Sequence, residues 1–336
     1  MPNHVTNVVK ISGKQADIDR IMGYVQAKDE AYGSFDFNKI IPMPASMNIE
    51  SGSSQSTALE VYFSAINPAT EDMGIEKVSV ETLADYIQKT KKGGVFTSRD
   101  LDVNLSYEEV LKRSRDFFNG DKRFREETDS YVKDDIFLFG KTILDNMETY
   151  GCADWYSWSN RYWNTKWNAY DYMEQDPGSN ELRFSTAWAP PHPVIRRMSE
   201  MFPEVSIHHE WADEDVGNNC GYADYQAGDG EPCYKDGQPD ADKFALEVMG
   251  YDLDEFYEAE NGSMYNITCD MPNTVSKEKM EELMSNGLSL HGFKRKIKYD
   301  EAEEVWRISD MDDEECRKFL KRLEKIKADL NSFFYD

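Results

Sequence analysis

Residues 182–211, LRFSTAWAPPHPVIRRMSEMFPEVSIHHEW, change their apolar period twice, and the fold class follows from those changes. Leu182, Phe184, Thr186 and Trp188 recur at period 2, which predicts one face of a strand. Pro190, Pro191 and Pro193 then open a helix, because a proline in the first turn gives up no hydrogen bond. Ile195, Met198 and Phe202 supply its apolar stripe, and Pro203 ends it. Val205, Ile207, His209 and Trp211 return to period 2 as another strand.

The N-terminus shows the same succession. Val5, Val9 and Ile11 alternate, and Ile18, Ile21, Met22 and Val25 follow at helical spacing. Phe35, Phe37 and Ile41 in FDFNKIIP predict a second strand, stopped by Pro42 and Pro44. Two β-α-β units in succession predict an α+β fold: a ferredoxin-like split βαβ sandwich. Residues 1–44 and 182–211 should form one four-stranded antiparallel sheet with two helices on one face. The core is expected to take residues 1–50 and 150–235. Helical periodicity in 51–149 reads as a large insertion.

Residues 236–336 predict a second small C-terminal α/β module. Met264 to Cys269 reads as a strand, and Ser276 as an N-cap stapled by Val275 and Met280. That helix ends at Asn286-Gly287. A hairpin is expected over 289–309, and then one last helix over 311–332.

Several stretches carry a family resemblance: MPNHVTN (1–7), FDFNKIIPMP (35–44), WYSWSNRYWNTKWNAYD (155–171), FSTAWAPPHPVI (184–195) and FPEVSIHHEWADEDVGNNCGY (202–222). In this order they resemble the YubB-like proteins of phages and plasmids, which have a ferredoxin-like domain. The resemblance covers about 1–44 and 150–230. It implies a mobile-element origin and transfers no catalytic residue. One departure is visible: Asn164 stands where the family pattern has glycine, in Trp163-Asn164-Thr165-Lys166-Trp167. Asparagine tolerates the left-handed region, so the turn is expected to survive.

Charge is distributed unevenly. The chain of 336 residues carries 64 acids, 38 Lys and Arg, and a net charge of −26. Residues 201–260 hold 17 of those acids and only Lys235 and Lys243, more than half of the excess. Such a field repels phosphates and attracts basic surfaces. Asp213, Glu214, Asp215, Asp224 and Asp229 fall on the hairpin after Trp211. Asp240, Asp242, Glu247, Asp252, Asp254, Glu255 and Glu258 fall on a following helix. These twelve carboxylates are the candidate partner-binding face; a solvating surface is the other reading.

The aromatic block allows two readings as well. Trp155, Trp158, Tyr162 and Trp163 at helical spacing point to core packing. Trp167, Trp188 and Trp211 could instead form a platform for bases or a small ligand. Little basic charge lies near them, so direct nucleic-acid binding is disfavoured.

Signatures for chemistry are lacking. No HExxH, Walker A loop, GxSxG or Rossmann glycine pattern occurs. His208 and His209 point to opposite faces of one strand and cannot share a metal through it. Cysteines 152, 220, 233, 269 and 316 are odd in number and scattered, which fits a reducing cytoplasm. No cofactor and no metal are expected, nor any membrane span. The expectation is a non-enzymatic interaction protein that binds a host protein with a basic nucleic-acid-binding surface. The hypothesised target class is a host defence system such as a CRISPR effector, engaged by mimicry of nucleic acid.

Overall fold

The computed structural model describes residues 2–52, Gln55, Ala58, 136–267, 271–309 and 311–335. In chain order it has β1 (His4–Ser12), α1 (Gln15–Val25), α2 (Ile136–Tyr150), α3 (Trp155–Tyr162), β2 (Glu181–Ala187) and α4 (His192–Met201). There follow β3 (Ser206–Asp213), β4 (Gly221–Gln226), β5 (Cys233–Tyr234), α5 (Ala241–Met249), β6 (Phe256–Glu258) and β7 (Met264–Asn266). The chain closes with β8 (Thr274–Ser276), α6 (Lys277–Ser285), β9 (Ile297–Asp300), β10 (Val305–Ile308), α7 (Asp313–Lys325) and α8 (Leu330–Tyr335). Mixed helices and antiparallel sheets make this an α+β fold. The chain groups into two compact units: residues 1–35, 169–190 and 198–336 in one, and 36–168 with 191–197 in the other. Most of the expected helical insertion lies outside the described residues.

The first unit is built on a five-stranded antiparallel sheet in the order β2-β1-β3-β4-β5. Register assigns every side chain to a face. Asn7 lies between Phe184 and Trp211, Val9 between Leu182 and His209, and Ile11 opposite Ile207, which in turn faces Tyr225. All of these are buried. On the opposite face Val8, Ala212 and Cys220 pack against Ala241, Ala245 and Val248 of α5. One sheet therefore carries apolar contacts on both sides, which is why β1 has the near-continuous apolar run Val8-Val9 rather than strict alternation. Tyr24 of α1 meets Phe202 edge-on at 5.6 Å, and Arg20 pairs with Glu204.

Three of the four strands expected for this sheet are present; FDFNKIIP is not the fourth. Phe37–Lys39 is a single 3-10 turn. Asp36 accepts from the Asn38 N–H at 3.0 Å, and the Asn38 side chain accepts from the Met43 N–H at 3.1 Å. These local side-chain bonds take the place of ladder bonds. The fourth long strand is β4, GYADYQ, which pairs with β3 along its whole length. A second difference is at Trp188. The strand ends at Ala187, and Trp188 turns to φ +72.

The C-terminal segment of this unit folds as a three-stranded sheet, β8-β10-β9, beside the β6-β7 ribbon. Trp306 sits between Val275 and Tyr299. Ser276 caps α6 through the Lys279 N–H at 3.1 Å, and Asn286 with Gly287 at φ +106 ends it. Of the strand expected from Met264 to Cys269, β7 takes Met264–Asn266, and positions 268 and 269 lie outside the described residues. The last helix is two: Lys327 at φ +56 breaks it, the Ala328 N–H closes α7 on the Leu323 carbonyl, and Asp329 caps α8.

In the second unit α3 starts with a capping box between Asp154 and Ser157. Trp158 and Trp163 are buried and meet edge-on at 5.3 Å, and the Trp163 indole N–H donates to the Ile41 carbonyl at 2.9 Å. Asn164 takes φ +65, as the resemblance implied for the turn.

Candidate functional site

Of the twelve candidate carboxylates, one, Asp213, is buried. The segment from 240 to 258 is not a single helix: Gly250 at φ +84 ends α5, Leu253–Glu255 is a 3-10 turn, and β6 follows. In the hairpin half, most carboxylates are engaged by the fold. Asp213 is buried and accepts from the Asn3 amide at 3.1 Å, the Asn219 amide at 2.9 Å and the Asp215 N–H at 3.0 Å. Asp215 accepts from the Asn218 amide at 3.1 Å. Asp224 meets His208 Nδ1 at 2.7 Å. Glu214 is exposed beside Asp215, while Asp229 follows the far end of β4, at the Ser206 end of the hairpin. Asp213 thus belongs to the interior, a correction to its place on the docking face.

The second half is more open. Asp242 accepts from the Met264 N–H at 3.0 Å, and Asp240 pairs with Lys235 at 2.5 Å. Glu258 pairs with Lys243 at 3.3 Å. Asp252 accepts from the Asp254 N–H at 3.0 Å, capping its turn. Glu247, Asp252, Asp254 and Glu255 are exposed, and Tyr251 among them is 53% exposed. Two arginines reach this stretch, but both donate to backbone: Arg183 to the Val248 carbonyl at 2.8 Å, Arg317 to the Phe256 carbonyl at 2.6 Å and to the Asp254 carbonyl.

Of the three tryptophans of the expected aromatic platform, Trp211 is in the core. Trp211 is fully buried, its ring against His209 at 5.3 Å and Tyr234 at 5.4 Å, and so offers no face to a base. Trp167 belongs to the other compact unit and lies under Lys166 Nζ at 4.5 Å. Trp188 alone of the three is both exposed and in the sheet unit.

A polar ladder runs across the face of the sheet that also carries Val8 and Ala212. Lys10 meets Glu210 at 2.9 Å, and His208 lies between Glu210 at 3.4 Å and Asp224. Burial alone would push the Glu210 carboxyl up, but the bond and charge of Lys10, joined by His208, hold it below the usual carboxylate range. His209 points inward and meets the Asn7 amide oxygen at 3.0 Å, so adjacent histidines do part across the strand. Burial, reinforced by Asp236 and Asp242, pushes the Cys220 thiol up to about 11, far from a nucleophile's range. Cys152, Cys220, Cys233 and Cys316 are free thiols. Among the described residues, no three His, Cys, Asp or Glu side chains gather as a metal set, and no helix is long and apolar enough to cross a membrane. A shallow cleft of about 300 Å³ beside the start of α5 is lined by Asn218, Gln238, Asn261 and Asp242. Asn218 and Gln238 donate within the fold, to Asp215 and to the Tyr234 carbonyl.

Asn3 and Asn219 hold Asp213 by their amides, a role that the sequence pattern of Asp, Asn and Gly as turn formers did not assign to them. Alternation did carry a signal for the ladder, since His208 and Glu210 stand two apart on one strand.

Comparison with known proteins adds a partial assignment. No curated protein matches. Among solved structures, the crystal structure of protein api92 from Yersinia pseudotuberculosis aligns with a TM-score of 0.31 and 11% identity, over 69% of this chain and 98% of that one. Residues 162–259 match the family described as the ferredoxin-like domain in Api92-like protein.

Proposed function

We propose that this chain is a non-enzymatic interaction protein whose exposed carboxylates dock on a basic surface of a partner protein. The observation that carries this reading is the lopsided charge of residues 240–260. The stretch has eight acids and one lysine, and Lys243 is already paired with Glu258. Arg183 and Arg317 donate to backbone carbonyls of this stretch rather than to its carboxylates, and Glu247, Asp252, Asp254 and Glu255 are exposed to solvent. A field of this sign speeds association with a cationic surface and disfavours direct contact with nucleic acid.

The resemblance to mobile-element proteins of the YubB-like kind extends the proposal. The partner would be a bacterial host protein that handles nucleic acid, such as a CRISPR effector, with the carboxylates occupying a groove made for phosphates. Both proteins would share the host cytoplasm.

The test is a fourfold variant, Asp252→Asn, Asp254→Asn, Glu255→Gln and Glu258→Gln. Association with basic nucleic-acid-binding proteins and with an arginine-rich peptide is measured from about 0.05 to about 0.5 M salt, across which the screening length shortens severalfold. Slower association and a flatter salt dependence are expected. Unchanged affinity at low salt would remove this stretch from the docking face.

A further inference from the structure

The cleft beside the start of α5 is walled by loops around Asn218, Gln238 and Asn261, and by Asp242 of the helix itself. Its volume of about 300 Å³ stands at the small end of the range for ligand sites, room for one long side chain. Close backbone packing fixes its shape. A Cβ on Gly217 would strike an Asp242 oxygen, and a Cβ on Gly262 would strike the Pro239 carbonyl; the two glycines stand at φ +81 and +91. The side chains that line the cleft offer it mostly acceptors. Asn218 and Gln238 donate to Asp215 at 3.1 Å and to the Tyr234 carbonyl at 3.2 Å, and their amide oxygens have no donor among the described residues. One Asp242 oxygen accepts the Met264 N–H at 3.0 Å, and the other lies against Gly217. Among the described residues no cation pairs with this carboxylate, since Lys235 is taken by Asp240 and Lys243 by Glu258. Asn261 accepts the Ser263 N–H at 3.2 Å and contributes an amide donor. The α5 dipole by itself would favour an anion here, but Asp240 at the cap and Asp242 in the first turn oppose it.

We propose that this cleft takes the guanidinium of one arginine from a partner protein. Oxygens of Asn218, Gln238 and Asp242, the last of them charged, call for a cation with several donors. A guanidinium has five N–H groups and no acceptor, and its planar fork suits a carboxylate better than the compact ammonium of lysine. An anion would face the unpaired charge of Asp242. Arginines seated in desolvated pockets are among the residues that dominate interface energies. This inference rests on the reading that the partner is basic, and deepens it: beside the exposed acids of 247–255, it assigns one arginine a pocket.

The test uses the full chain labelled with nitrogen-15 and short, otherwise uncharged peptides with blocked ends that differ at one residue: arginine, lysine or citrulline. Citrulline keeps the length of arginine without its charge. The arginine peptide should shift the side-chain amide resonances of Asn218, Gln238 and Asn261 and bind more tightly than the other two. Asp242→Asn keeps an oxygen for the Met264 N–H and loses the charge, so affinity for the arginine peptide should fall about tenfold, the scale of one charge-assisted bond. Gln238→Ala, at an exposed position, should weaken it about threefold and leave the thermal midpoint in place. The fourfold variant at 252, 254, 255 and 258 should bind this peptide as wild type does, because none of those residues lines the cleft. Equal affinity for the arginine and citrulline peptides, or unchanged affinity in both Asp242→Asn and Gln238→Ala, overturns the pocket while leaving the acidic docking face in place. A loss in the fourfold variant as large as in Asp242→Asn also overturns it, since diffuse charge would then account for binding. If the arginine peptide binds as expected while the fourfold variant associates with basic proteins as wild type does, the docking face fails and the pocket stands.

Discussion

Two acidic stretches of the sheet unit have similar composition and opposite uses. In 213–224 the carboxylates build the fold: Asp213 holds three donors, Asp215 closes its own turn, and Asp224 faces His208 across the hairpin. In 247–255 all four carboxylates are exposed, and among the described residues only Asp252 accepts a backbone N–H, that of Asp254 in its own turn. The difference is whether a neighbour supplies N–H groups. Asn3, Asn218 and Asn219 converge on the first stretch, whereas the second meets arginines already turned to carbonyls. A carboxylate with several donors can be buried; one without them must stay hydrated.

The sharpest way to break this comparison is Asp213→Ala. It would leave the Asn3 and Asn219 amides and the Asp215 N–H without their acceptor, and such losses cost about 1–3 kcal/mol each when the group stays dry. Both amides can turn toward solvent, so a total of about 2–3 kcal/mol is expected, read as a drop in thermal or urea midpoint. A loss below about 0.5 kcal/mol would put Asp213 in the same class as the exposed acids.

Asp242 tests the boundary between the two stretches. It stands in the first turn of α5 and accepts from the Met264 N–H. Gly217 packs so closely that a Cβ there would stand 2.1 Å from an Asp242 oxygen. Asp242→Ala should cost about 1 kcal/mol in urea denaturation, the worth of one partly buried bond to the backbone. Gly217→Ala should cost more than Asp242→Ala, since it adds the φ +81 penalty to the clash. The reverse order would mean that the loop yields.

How much of this was legible in the sequence depends on whether side chains or backbone set the local pattern. Residues 182–211 read correctly, Trp188 excepted, because apolar side chains mark the strand and helix periods there over many residues. FDFNKIIP carried only three apolar residues at that period, and two are buried for unrelated reasons: Phe35 lies against Phe184 at 5.3 Å, while Phe37 lies against Trp163 at 5.7 Å. β4 escaped notice as a sheet member because its inward face is Gly221, Ala223 and Tyr225, mostly small residues that mark no period. Acid counts found the charged region, but nothing in a count separates Asp213 from Asp254. That distinction needs asparagines 3 and 219, which lie over two hundred positions apart in the chain.

Between the extremes stands Glu210, paired but only partly buried. Its folded pKa lies below the unfolded value, so its contribution is fully present above the unfolded pKa and is lost as pH falls through the folded one. Lys10→Met should therefore flatten the acid limb of stability against pH below about pH 4.5, where an unperturbed glutamate titrates. The effect should be a few tenths of a kcal/mol, because water screens a pair of which Lys10 is 45% exposed. An acid limb identical in the two proteins would assign the lowered pKa to His208 instead.

The smallest effect is expected where the charge is greatest. In the fourfold variant at 252, 254, 255 and 258, asparagine at 252 keeps an oxygen that can cap the Asp254 N–H. Only the Glu258–Lys243 pair is lost, and its partners are 55% and 41% exposed. Exposed pairs contribute about 0–1 kcal/mol, and removing neighbouring like charges returns a similar amount. The two terms oppose each other, so the unfolding midpoint should move by less than about 0.5 kcal/mol equivalent. A clear stabilisation would mean that repulsion among these acids is held in the fold, and a strain kept in a native structure asks for a partner that relieves it. A clear loss would mean that the carboxylates build this turn as Asp213 builds the other, and the contrast between the two stretches would fail.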